Sequence, residues 1–264
     1  MSATETAMIE FRDLRKSFRR GSVVVDALGP VSMKVKPGEF VALLGPSGCG
    51  KSTTLNMTAG LMRPTGGTVW FDGAPVTKVN TRVGYLTQRD TLLPWRSVSG
   101  NVSIPLEIQN VPRERRREMV QEALESVGLT EFANHHPAEL SGGMRRRVAL
   151  ARMLVSAPDT LLMDEPFGAL DAQLKMVMHQ QLLNIWQTHR KTVLFVTHDL
   201  AEALMLADRV VVLGARPGRI RKDFQVPLGR PRDVFELQFE PSFAAMEKEL
   251  WEVMRTDMAK GEAM

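Results

Sequence analysis

Apolar and polar positions alternate along the first third of the chain, and then the period changes. MIEFRDL (8–14), VVVDA (23–27) and VSMKV (31–35) read as strands of an antiparallel sheet, whereas FVALL (40–44) is a continuous apolar run, as in a strand buried on both faces. TVWFDGAPV (68–76) sets Asp72-Gly73 between two strand-like runs and predicts a hairpin. RVGYL (82–86) is a further strand-like run. From about residue 97 to 157 the period is helical. In RERRREMVQEALESVGL, Met119, Val120, Ala123, Leu124 and Val127 share one face, and Gly128 is a stop signal. Pro94, Pro105, Pro112 and Pro137 punctuate this region. TLLM (160–163), VLFV (193–196) and RVVVL (209–213) then alternate with helical segments, the pattern of a parallel sheet. The helix LKMVMHQQLLNIW presents Leu174, Val177, Met178, Leu182, Ile185 and Trp186 as a core face, with its methionines as filler. Phe243, Met246, Leu250 and Met254 mark an amphipathic tail helix predicted to pack on the chain's own body.

Composition narrows the reading. The chain has 264 residues, 44% of them hydrophobic, enough for one large domain or a core with an insertion. A charge of +4, from 34 basic and 30 acidic residues, suits a handler of anionic ligands or a neighbour of an anionic membrane, and does not by itself indicate nucleic acid. Arg113 and Arg115–Arg117 crowd a helix start, where cations are mildly unfavourable; they read as a solvated face, with a membrane or partner contact as the alternative. Cys49 is the single cysteine, which excludes an internal disulfide and a cysteine-based zinc site. No secretory leader is visible at the start, and no apolar run reaches the ~18–20 residues of a membrane helix. The expectation is a cytoplasmic protein whose membrane role, if any, runs through a partner.

GPSGCGKST (45–53) fits G-x-x-x-x-G-K-[ST] between a strand and a helix. Gly45, Pro46, Ser47, Gly48, Cys49 and Gly50 would curl backbone N–H groups around phosphate, and the helix start adds partial positive charge. Lys51 would reach the β- and γ-phosphates, Ser52 would ligate Mg²⁺, and Thr53 would support the phosphates. The helix start and Lys51 would also lower the Cys49 pKa, so alkylation of the thiol is expected to block nucleotide binding. TLLMDEP (160–166) ends a buried strand in Asp164, placed for Mg²⁺, and Glu165, placed to polarise a water. VLFVTHD (193–199) brings His198 to the same sheet edge, because ligands gather at the carboxyl ends of parallel strands. Gln88, in YLTQRD, follows another strand and is uninformative alone. LSGGM (140–144) is a second glycine turn before a helix, without a lysine of its own.

Taken together, GPSGCGKST, Gln88, LSGGM, LLMDEP, GALD (168–171) and His198 resemble, in that order, the nucleotide-binding subunit of ATP-binding cassette (ABC) transporters, over about residues 8–226. The resemblance implies an α/β fold: a P-loop NTPase core with a mixed, largely parallel sheet, an antiparallel β subdomain and an inserted α-helical subdomain. The core would span 1–96 and 158–230, the helical part with the signature motif 97–157, and a C-terminal helical extension 231–264. It implies ATP and Mg²⁺, with Lys51, Gln88, Glu165 and His198 in the catalytic set, Ser52, Gln88 and Asp164 near the metal, and Phe18 (in RKSFRRG) stacked on adenine. Two cassettes would pair head to tail, as a homodimer. Ser141, Gly142 and Gly143 of one chain would then complete the γ-phosphate site of the other, and Asp171 would belong to the loop that crosses between them. Met144 stands where the family more often has glutamine, and Arg145 or Arg146 would compensate. LLPWRSVSGNV (92–102) is similar to the bacterial importers of nitrate, aliphatic sulfonates and taurine. This implies permease subunits, with Leu93 and Trp95 facing them or else simply packing, a solute-binding protein, no nucleic acid, and a place on the inner face of the membrane. The alternative is a soluble cassette ATPase acting on nucleic acid or ribosomes, but the paired cassettes, coiled-coil insertions and zinc cysteines that tend to mark such proteins are missing. LSGGM with GALD argues against a nucleotide switch or kinase.

Overall fold

The computed structural model describes residues 7–89, 91–168 and 170–261. It opens with β1 (Ile9–Arg20) and β2 (Val23–Val35), paired antiparallel so that Ile9 faces Val35 and Phe11 faces Met33. The two runs expected at 23–27 and 31–35 are therefore one strand. Leu28–Pro30 does not turn the chain; Gly29 N–H instead donates to the Gly218 carbonyl at 2.8 Å, tying the strand to a distant loop. β3 (Phe40–Leu44), α1 (Lys51–Thr58), β4 (Gly66–Phe71) and β5 (Ala74–Pro75) follow. The predicted hairpin joins β4 to β5 through Asp72 (φ 47°) and Gly73 (φ 75°), both in the left-handed region that a tight two-residue turn needs. β2, β1, β4 and β5 form one antiparallel sheet.

The remaining elements are β6 (Val83–Leu86), α2 (Val98–Ile108), α3 (Arg113–Ser126), α4 (Gly142–Leu154), β7 (Thr160–Asp164), α5 (Ala172–His189), β8 (Thr192–Thr197), α6 (Leu200–Leu206), β9 (Arg209–Leu213), β10 (Ile220–Gln225), α7 (Val234–Leu237) and α8 (Pro241–Gly261). The second sheet runs β10-β9-β3-β8-β7-β6, parallel except for β10 at its edge. β10 has no counterpart in the apolar pattern because an edge strand of sequence IRKDFQ is only half covered.

Alternate residues of β3 feed opposite faces of this sheet. Phe40, Ala42 and Leu44 join a core with Phe195 and Trp186, while Val41 and Leu43 join one with Leu55, Val196 and the β1–β2 pair. Each large side chain so buried contributes roughly 1.5–3 kcal/mol. The predicted α3 face is turned inward, with Val120, Leu124 and Val127 buried. On α5 the buried stripe is narrower than predicted: Met178, Leu182 and Trp186 are buried, but Val177, one residue off the stripe, is 43% exposed. The tail helix seats Phe243, Met246, Leu250 and Met254 in the core as expected. Before it, the buried Arg232 donates to the Leu204, Met205 and Ala207 carbonyls and so caps the end of α6. Burial pulls the Arg232 pKa down to about 10.

The buried Asn101 fixes the loop before α2, accepting from Leu93 N–H at 2.7 Å and donating to the Leu93, Arg96 and Ser97 carbonyls at 3.1 Å. That loop holds Trp95 at 73% exposure, so the reading of Trp95 as a packing residue is wrong.

Candidate nucleotide site

The strand register brings the predicted residues to one edge. Leu44 pairs with Thr197, Val196 with Asp164, and Met163 with Leu86, so the loops after β3, β8, β7 and β6 open side by side. Between β3 and α1 the chain curls through Gly48 (φ 80°) and Gly50 (φ 95°). A Cβ on Gly50 would also lie 2.9 Å from Leu28 Cδ1, so position 50 excludes any side chain. Gly50 is the N-cap of α1 and offers no side chain to its first-turn N–H groups, which leaves them for an anion. Lys51 is buried, its ammonium donating to the Gly45 and Pro46 carbonyls at 2.8 and 3.0 Å. These residues fit a nucleotide phosphate.

The expectation for Cys49 is corrected. Its side chain is fully buried in the core beneath the loop and does not line the cavity, so an alkylating reagent has no path to the sulfur. The cavity above the loop, about 500 Å³, is lined by Ser47, Gly48, Lys51, Ser52 and Thr53, by Phe18 and Val25 of the first sheet, and by Gln88, Glu165 and Arg216. Phe18 is 42% exposed, with Lys16 Nζ 5.3 Å from its ring centroid. Arg216, which no motif marks, donates from Nε to the Gly48 carbonyl at 3.3 Å.

Ser52 Oγ donates to Asp164 Oδ1 at 2.9 Å. Burial holds the Asp164 carboxyl above its ordinary pKa, and the Glu165 charge adds to this, while Ser52, Lys51 and Arg146 pull the other way. A hydroxyl beside a carboxylate is the oxygen donor set that suits Mg²⁺, which takes few protein ligands when phosphates supply the rest. Glu165 sits in the left-handed region (φ 44°). Its Oε2 accepts from Gln88 Nε2 at 3.0 Å, and its Oε1 lies 3.3 Å from His198 Nδ1. Gln88, silent in the sequence alone, is thus joined directly to Glu165. Below His198 is a buried network that sequence reasoning missed: Thr197 bonds Glu202, whose other oxygen meets His179 Nε2 at 2.9 Å. Nothing in the local pattern of LKMVMHQQLL could signal it.

The signature turn stands elsewhere. None of the described residues Leu140–Met144 is among those lining the phosphate-loop cavity. Ser141 is exposed and caps α4, its Oγ accepting from Met144 N–H at 3.2 Å. A Cβ on Gly143 would meet Leu174 Cδ2 at 2.2 Å, whereas one on Gly142 would touch only Arg145, at 3.9 Å. Asp171 caps α5 through Leu174 N–H at 2.9 Å. Met144 contributes its backbone to the cap and packs its side chain on the core. Arg145 donates to the Leu140 carbonyl at 2.6 Å, while Arg146 points inward to the Pro166 and Thr87 carbonyls, away from the place left by Met144.

A phosphate loop, a hydroxyl–carboxylate pair and a glutamate flanked by glutamine and histidine define an ATP-hydrolysing P-loop protein. Comparisons with known proteins narrow this. The family model described as ABC transporter matches residues 28–168. An uncharacterized ABC transporter ATP-binding protein of Methanocaldococcus jannaschii is 45% identical over 88% of this chain and 86% of its own. The nitrate import ATP-binding protein NrtD of Synechocystis sp. is 42% identical over 94% of this chain and 95% of its own. The taurine import ATP-binding protein TauB of Roseobacter denitrificans is 41% identical over 86% and 85%. A dimeric ATP-binding cassette in a post-hydrolysis state, bound to ADP and Pi, superposes with a TM-score of 0.76 at 33% identity, over 84% of this chain and all of that one. The chain belongs to the ABC transporter family, as an ATP-binding, ATP-hydrolysing subunit.

Proposed function

We propose that this subunit powers import of a small anionic solute of the nitrate, sulfonate or taurine kind through a separate permease, working on the inner face of the membrane as a head-to-tail homodimer. The observation that carries the ATPase chemistry is the convergence of Gln88 and His198 on Glu165, beside the Ser52–Asp164 pair. Lys51 and the loop N–H groups bind the phosphates, and Phe18 stacks on the base. Ser52 and Asp164 would hold Mg²⁺, which would supply charge neutralisation on the phosphate oxygens. Glu165 orients and deprotonates the attacking water, Gln88 and His198 hold its two oxygens, and Ser141 with the Gly142 and Gly143 N–H groups of the other chain grips the γ-phosphate. The importer reading draws on the names of NrtD and TauB. Among the described residues no helix is long and apolar enough to cross a membrane; in this reading a separate permease carries the solute. Leu61, Val79 and Ile108, each more than half exposed, line an open cleft of about 460 Å³ between α1, β6 and α2, an apolar surface suited to a permease loop. The segment 97–157 is read as the unit that meets the permease, and a solute-binding protein acts on the far side.

Glu165→Gln tests the chemistry. Turnover is expected to fall by about 10²–10⁴ while ATP binding persists and a dimer forms on ATP addition. Near-normal hydrolysis would remove Glu165 from its role. Copurification with a multi-spanning membrane protein, and loss of that partner in a Leu61→Asp/Ile108→Asp variant, tests the docking.

A further inference from the structure

We infer that Arg146 is a positioning residue that ties the signature turn of each chain to the Gln88–Glu165 pair of the same chain. This rests on the two-chain ATPase reading above and adds a residue to which that reading gives no part.

Arg146 lies five residues after Ser141 in α4, and its side chain is buried. Arg145 and Arg147 bond the Leu140 and Val127 carbonyls, within the same helical segment. Arg146 instead crosses to the parallel sheet. Its Nε donates to the Pro166 carbonyl and its Nη1 to the Thr87 carbonyl, at 2.6 Å for the latter. Pro166 follows Glu165, and Thr87 precedes Gln88. One planar guanidinium therefore holds the backbones next to both residues at a set separation, which a flexible ammonium cannot do. The circuit closes through the Gln88–Glu165 hydrogen bond at 3.0 Å.

The cavities give this link a direction. Gln88 and Glu165 line the phosphate-loop cavity and also a second one of about 420 Å³, shared with Gly142, Arg146 and His198. The pair is thus a wall between the chain's own nucleotide and the root of its signature turn. Arg146 therefore sets Glu165 of its own chain and acts on the nucleotide that chain holds, whereas Ser141 acts on the nucleotide held by the partner.

Dimers of defined composition, purified through two different tags, test this. In a dimer with Arg146→Ala in one chain and Ser141→Ala in the other, both changes fall on one nucleotide, so about half the wild-type turnover should remain. With both substitutions in one chain and a wild-type partner, each nucleotide is hit once, and turnover should fall roughly tenfold or more. The reverse pattern would mean that Arg146 merely supports the turn that precedes it, and would overturn the inference, as would equal retention or equal loss in the two arrangements. Arg146→Lys, run in both arrangements, covers a failure of the alanine chain to fold; as a homodimer it should lower kcat while leaving KM for ATP within about twofold. An absence of dimer-dependent turnover in wild-type protein would instead overturn the two-chain reading itself.

Discussion

The phosphate loop and the signature turn are both glycine-rich entries to a helix, but only the first gathers a cation, a hydroxyl and a carboxylate around it. The loop encloses its cation, with Lys51 bonded to the Gly45 and Pro46 carbonyls, and it has Ser52 and Asp164 alongside. The turn has an exposed hydroxyl, that of Ser141, whose oxygen already accepts from Met144 N–H and whose proton is left to donate outward. In the proposed dimer one region binds the nucleotide, and the other finishes a site bound elsewhere. Nucleotide affinity should therefore reside in a single protomer, and turnover in the pair.

The sharpest way to break this contrast is to disable each region in turn. Lys51→Ala should abolish measurable ATP binding by the protomer. Ser141→Ala should leave protomer binding unchanged in a fluorescent-nucleotide titration yet cut steady-state turnover by about 10²–10³. Equal loss of binding in both would erase the distinction. Next in size is Gly143→Ala, whose methyl meets Leu174; overpacking of about 1–3 kcal/mol should lower Tm, and Leu174→Ala should restore part of it. Gly142→Ala, with only an ordinary contact, should leave Tm in place.

Asp164→Asn sharpens the loop side. The folded chain holds the Asp164 proton more tightly than the unfolded chain, because burial raises its pKa above the ordinary 3.8. The ionised carboxylate therefore opposes folding, fully above its folded pKa; that cost shrinks as pH falls from the folded toward the unfolded value and is gone below the latter. The variant should show a higher Tm at neutral pH, by roughly 2–4 °C for each kcal/mol recovered, a shrinking advantage in acid, and no turnover. A Tm at or below wild type at pH 7 would contradict the assignment. Smallest is the effect at Cys49: native protein should resist thiol alkylation, with modification seen by mass only after denaturation.

What could be read in the sequence was whatever chemistry is local. The phosphate loop, the Asp72-Gly73 hairpin and the apolar runs of β3, β7, β8 and β9 declare themselves because their neighbours in sequence are their neighbours in space. β10 hid because half of it faces solvent. Cys49 was misjudged because a loop position says nothing about which way a side chain turns. Trp95 needed the Asn101 brace to settle its exposure. The links from Arg146 to Thr87 and from Gln88 to Glu165 span 59 and 77 residues, and no short window contains them.

Glu165 sets conformation against chemistry. A φ of 44° suits glycine or asparagine better than glutamate, yet neither of those carries a carboxylate. Libraries sorted for heat resistance alone should therefore drift toward glycine or asparagine at position 165, and would deliver sturdy dimers that clamp ATP and never let go.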